Sequence, residues 1–147
     1  AYTTLGCSGC HGADGGGGTG AKLSNGEVIK TFPDPLQQVY WIHNGATNGA
    51  RPDGTYGDAA RKGGAQNVST LAGVMPGFPD VPPEEMAALI IYIREGLSGG
   101  TAADDPKFNA ETYAADPAAL AKMIEDVAAL KPNDPDSVSA LDGAEES

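Results

Sequence analysis

The chain has 147 residues and a formal net charge of −11, room for one ordinary domain with an appendage. That charge argues against nucleic acid and anionic membrane surfaces as partners. No stretch reaches the roughly 18 continuous apolar residues of a spanning helix.

Residues 1–6 are predicted to be the last turn or two of a helix. Cys7-Ser8-Gly9-Cys10-His11 follows, and C-x-x-C-H is the attachment site of a c-type haem. The two thiols add across the haem vinyl groups as thioethers, and the adjacent His11 is held as the proximal iron ligand. A structural zinc site wants four ligands, usually in two separated pairs. The only cysteines and histidines here are Cys7, Cys10, His11 and His43. A thioredoxin-like pair wants a βαβ context, whereas the flanks are Gly-rich, and a disulfide between residues three apart is strained. One covalent haem c is therefore the expected cofactor. It also adds a large apolar element to a thin core, since aromatics are only 6% of the chain.

Gly12 to Gly20 reads as a loop. It lacks the Lys-Ser/Thr that a phosphate-binding loop needs after its last glycine, and close backbone approach to the haem suits it better. Asp34 and Pro35 open a helix as N-cap and first residue. It is predicted to run to about Asn44 and stop at Gly45, burying Leu36, Val39, Tyr40 and His43 on one face. Residues 45–73 are Gly-rich and polar, with turns at Pro52-Asp53-Gly54 and Tyr56-Gly57-Asp58. Pro82-Pro83-Glu84-Glu85 opens a further helix with a stripe of Met86, Leu89, Ile90 and Ile93. Arg94 suits its last turn and Gly96 its end. No strand-period segment stands out, so the domain is predicted to be all-α.

A composition break near Ser98-Gly99-Gly100 divides the chain into 1–97 and 98–147. Residues 1–100 carry a net −3 and residues 101–147 a net −8. The acidic C-terminal extension holds one amphipathic helix, about 117–131, opened by Asp116-Pro117 and lined by Leu120, Met123, Ile124 and Val127. Residues from Pro132 onward read as extended or disordered. An isolated helix of this length is marginal in water. Its apolar face is therefore expected to meet either the first segment or, by preference, a partner subunit.

The distal iron ligand is sought among three methionines. Met86 and Met123 lie on helical stripes, where packing explains them. Met75, in Val74-Met75-Pro76-Gly77-Phe78, lies in a Gly/Pro loop that can bring its sulfur over a haem face. Methionine opposite histidine raises the potential of electron-carrying cytochromes. His43 is the rival, but a histidine at a helix end is commonly met by the helix dipole. Trp41 and Tyr56 are candidates for a haem propionate contact, and packing explains them equally well.

C-x-x-C-H, the Gly-rich loop, the short helix ending in Asn-Gly, M-P-G-F and an acid-led final helix together resemble a class I cytochrome c. The similarity covers about residues 2–97 and fits the small bacterial monohaem members. It implies a cytochrome c-like helical fold, with thioethers at Cys7 and Cys10 and iron ligation by His11 and Met75. It also implies a first helix crossing the last near Tyr92 and Ile93. Finer stretches, Thr31-Phe32-Pro33-Asp34-Pro35 and Tyr56-Gly57-Asp58, look like domains attached to bacterial respiratory complexes. Two departures stand out. Ala21 follows the Gly-rich loop where the family often has a proline, whose carbonyl accepts from the proximal histidine. The segment before Cys7 is also shorter than the family's first helix, which leaves an upstream anchor or domain open.

The function implied is one-electron transfer and not enzyme catalysis, because a six-coordinate iron offers no site for substrate. Redox proteins are the expected partners, with subunits of a membrane complex docked through the extension. The expected location is extracytoplasmic, with membrane anchoring undecided. The exposed haem edge is expected to lie among uncharged residues: Ser8, Gly9, Gly73, Val74, Pro76, Gly77 and Phe78. A haem enzyme or gas sensor, with Met75 displaced, and a structural subunit of a redox complex are the competing readings.

Overall fold

The structure, a computed structural model, describes residues 2–70 and 73–141. The expectation of an extended end falls partly on residues 142–147, which lie outside the described residues.

Short helices and loops make the first third. Helix α1, Cys7–His11, is preceded by turns and not by a helix, because Gly6 adopts a left-handed conformation (φ 84°). The predicted crossing is therefore made by a turn: the Tyr2 ring packs 5.5 Å from that of Tyr92. Helix α2, Glu27–Thr31, was not expected. Helix α3, Pro35–Gly49, starts where predicted, with the Asp34 carboxylate accepting from Leu36 N at 2.8 Å. Its regular path breaks at Gly45 (φ 76°, ψ 178°), the predicted stop, and one further turn follows.

Burial on α3 exceeds the predicted stripe. Leu36, Val39 and Tyr40 are buried as expected and His43 only half-buried, but Gln38, Trp41 and Ile42 are buried too. The helix is covered on two sides, so one stripe could not describe it. Two residues on each side of the following loop pair as β1, Thr55–Tyr56, and β2, Gln66–Asn67. They are antiparallel, with Thr55 opposite Asn67, and too short for a period of two to show in the sequence. The fold is otherwise helical, and all-α describes it.

Helix α4, Pro83–Ile91, buries Met86, Ala87, Leu89 and Ile90. It does not simply end at Gly96. Residues Tyr92–Leu97 continue it as a wider turn of π type, and Ser98 N bonds back to Ile93 O at 3.0 Å. Both Ile93 and Arg94 are buried there, so Arg94 is not the exposed last-turn cation that its position suggested.

The C-terminal extension packs onto this body. Helix α5, Ala110–Ala115, opens with a capping box between Asn109 and Thr112. Helix α6, Pro117–Ala128, is capped by Asp116 and lies against α4 and α3. Phe108, Leu120, Ile124, Val127 and Val138 belong to the same hydrophobic cluster as Val39, Leu89 and Ile90. Burial of side chains of this kind contributes about 1.5–3 kcal/mol each. The apolar face assigned by preference to a partner subunit is thus covered within the chain.

Residues 131–140 are not extended either. Tyr40 Oη donates to Lys131 O and accepts from Asp134 N. Asn133 Nδ2 donates to Thr47 O (2.9 Å) and Ala50 O (3.0 Å), and Pro135–Ala140 forms a 3-10 helix. Proline and asparagine there mark caps and turns that hold the chain to the end of α3. Among the described residues, no helix is long and apolar enough to cross a membrane.

Candidate functional site

Helix α1 places Cys7 and Cys10 one turn apart, with His11 next. Cys7 is buried and Cys10 exposed, and both thiols are free. Burial pushes the Cys7 thiol pKa up. The Gly-rich loop folds back over α1: Gly20 N donates to Cys10 O at 2.8 Å. His11 Nδ1 lies 2.7 Å from Ala21 O. The carbonyl of Ala21 thus does what the missing proline's would, fixing the ring and leaving Nε2 for a metal. Gly20 is required by space, since a Cβ there would sit 2.7 Å from His11 Cε1.

Met75 is brought in by the opposite end of the sequence pattern. Ala46 N donates to Met75 O at 3.0 Å, and Phe78 N to Ile42 O at 2.9 Å. The loop docks on the broken end of α3, where a Cβ on Gly77 would meet Asn44 O at 2.7 Å. Gly45 and Gly77 together permit backbone against backbone, and this contact aims Met75.

Cys7, Cys10, His11 and Met75 all line one cavity of about 320 Å³. Its walls are largely apolar, with Leu23, Val28, Phe32, Trp41, Ile42 and Ile93 among them. Trp41 stacks on Tyr56 at 4.1 Å between ring centroids, and Phe32 packs on both. Burial raises the Tyr56 pKa. The rivals to Met75 lie elsewhere: Met86 is wholly buried in the core, and Met123 packs on it from α6. His43 does not line the cavity; burial lowers its pKa, against an opposing effect of Asp80.

One polar atom marks what the cavity takes. Arg61 lines it, its Nη1 bonded to Thr31 Oγ1 (2.8 Å) and its Nη2 3.5 Å from Glu27 Oε2. Its Nε is buried without a partner, and a buried unmet donor carries a desolvation penalty. A carboxylate on the ligand would relieve it. Nothing in the sequence announced Arg61, which stands in a polar loop and reaches the cavity only through tertiary folding. No three His, Cys, Asp or Glu side chains come together as an ion site among the described residues. Two free thiols, a histidine with one nitrogen committed, a methionine, apolar aromatic walls and a donor lacking an anion all fit haem with its propionates.

The family model described as Cytochrome c matches residues 1–97, more than half of the chain. No curated protein and no solved structure matches it. With that match and a cavity that fits its cofactor, the chain belongs to the cytochrome c family and carries one covalent c-type haem.

Proposed function

We propose that the protein is a one-electron carrier whose haem is thioether-linked to Cys7 and Cys10 and ligated by His11 and Met75. The observation that carries this reading is the meeting of these four side chains, drawn from segments far apart in sequence, at one cavity. Bound haem supplies a one-electron ferric/ferrous couple. The chain's own residues do the rest. Ala21 O orients His11 through Nδ1, Gly45 and Gly77 let Met75 reach the cavity, and the stacked Trp41 and Tyr56 rings give it an apolar wall. Arg61, in the cavity wall, is the cation proposed to lie beside a propionate. With His11 and Met75 both holding the iron, no position would remain for a substrate, and electron transfer is favoured over enzyme chemistry.

The setting proposed is a membrane-associated respiratory chain of a bacterium, with the domain on the extracytoplasmic side and redox proteins as partners. Gly9, Gly73, Val74 and Pro76 are exposed and uncharged beside the ligand candidates, and Val74 is 75% exposed. A complex subunit that docks on the C-terminal extension would meet its acidic outer face, since its apolar face is covered.

The test is spectroscopic. Denaturation in acid and organic solvent should leave haem on the polypeptide, and Cys7→Ala with Cys10→Ala should abolish this. Met75→Ala should open the iron to carbon monoxide, and Met75→His should lower the potential while keeping six-coordination. Haem that extracts freely would remove the covalent attachment. An unchanged spectrum and potential in both Met75 variants would remove Met75 as ligand.

A further inference from the structure

Among the described residues, none beyond Ile93 lines the cavity, yet the C-terminal extension reaches its back wall through a charge pair. Arg94 and Asp105 side chains are each 1% exposed and form a two-pronged ion pair, with Nε to Oδ2 at 2.8 Å and Nη2 to Oδ1 at 2.9 Å. Nη1 donates to Phe32 O (2.6 Å) and Gln38 Oε1 (3.2 Å), and Nη2 to Pro33 O (3.0 Å). All five guanidinium donors are used. Phe32 and Gln38 are cavity-lining residues, so the pair stands one residue behind the wall. Asp105 is itself held by the extension: its backbone oxygen accepts from Asn109 Nδ2 (2.8 Å) and Phe108 N (3.2 Å).

A charge so placed acts on the cavity through apolar walls, where screening is weak. Reduction brings one electron from a redox partner into the haem and adds one negative charge to the cavity. A bare cation behind the wall would favour that step, and a bare anion would oppose it. We propose that Arg94 and Asp105 are a matched pair in which the carboxylate cancels the field that the guanidinium would otherwise exert on the haem, so that either charge alone displaces the reduction potential. Asp105, from outside the family segment, is a positioning residue acting through Arg94 and Gln38. The inference rests on the haem-carrier reading above. A third charge faces the same group: the Asp34 carboxylate feels Arg94 and Asp105, and burial raises its pKa to about 6.

The test is an equilibrium redox titration of the holoprotein. Asp105→Asn should favour reduction and Arg94→Gln should oppose it, each by ~10-fold in the equilibrium constant, 59 mV for one electron. The variant carrying both should return close to the parent. Asp34→Asn keeps the helix cap and leaves the pair closed, so it reads the same field without a folding penalty. It should favour reduction at about pH 8, where the carboxylate is charged, and change nothing at about pH 5, where it is mostly neutral. Single variants that shift together or not at all, or Asp34→Asn without effect at the higher pH, would overturn the proposal. A parent protein lacking a reversible one-electron haem couple would instead overturn the carrier reading, which separates the two failures.

Discussion

Two glycines decide where Met75 lies. Gly77 packs its backbone against Asn44 O and His43 O, with no room for a methyl group. Gly77→Ala must therefore push the loop off α3, at about 1–3 kcal/mol of strain. The expected result is partial loss of the sulfur–iron charge-transfer band and new carbon monoxide binding, checked in the ferric and ferrous spectra respectively. Asp34 gives a second residue-scale expectation. Its folded pKa, about 6, lies above the ordinary 3.8, so the folded chain prefers the neutral acid. The stability this contributes is fully present below the unfolded pKa and is lost as pH rises through the folded one. Asp34→Asn retains a good cap and lacks this loss. It should be more stable than the parent towards denaturant at about pH 7.5, and that advantage should vanish at about pH 4. An equal advantage at both values would mean that the carboxylate does not titrate in this range.

At the scale of elements, α6 tests whether the extension is part of the fold. Ile124 is buried between α6 and the helices beneath it, while Met123 is only partly buried. Ile124→Ala is expected to cost about 2–5 kcal/mol, and Met123→Ala clearly less, in denaturant unfolding of the holoprotein. Equal and negligible costs would mean a helix that does not pack. The sequence made α3, α4 and α6 legible because each begins with proline after a capping position and repeats apolar residues at 3, 4 and 7. It made Cys7, Cys10 and His11 legible because their chemistry is confined to adjacent positions, and Met75 because a Gly/Pro loop gives a methionine no helical stripe to explain it. It was silent where the cause is tertiary. Gln38, Trp41 and Ile42 break the stripe of α3 because that helix also faces the cavity. Arg94 looks like a helix-end cation until Asp105 is brought to it from eleven residues on. Helices α2 and α5, of five and six residues, carry too little period to be read, although Asn109 and Thr112 spelled out a cap. Periodicity in α6 said that a face needs cover and could not say what covers it.

Over the whole molecule, the acidic C-terminal segment and the haem cavity are kept apart. The cavity is lined by residues up to Ile93, and the strongly acidic segment begins at residue 101. Gly73, Val74 and Pro76, the exposed residues flanking Met75, are uncharged, so electron transfer at that rim should depend weakly on ionic strength at short range; a steep fall in rate with added salt would contradict this. Truncation after Gly100 is the sharpest test of the whole. If the extension served only to dock a partner subunit, the shortened chain would keep its haem spectrum and potential and lose only assembly. The structure predicts otherwise. Truncation removes Phe108, Leu120, Ile124, Val127 and Val138 from the shared core and takes both hydrogen-bond partners from Tyr40 Oη. It also leaves the Arg94 guanidinium without its carboxylate, and breaking a buried pair from one side costs about 3–5 kcal/mol by itself. A domain has only about 5–15 kcal/mol to lose. Solvent reaching the opened side of Arg94 offsets part of that cost, as does the bound haem, so the truncated chain need not fail to form. It should, however, unfold at a much lower denaturant concentration than the parent, with its haem potential displaced towards reduction by the unmatched cation. A truncated holoprotein with the parent's midpoint and potential would show that the extension is an appendage after all.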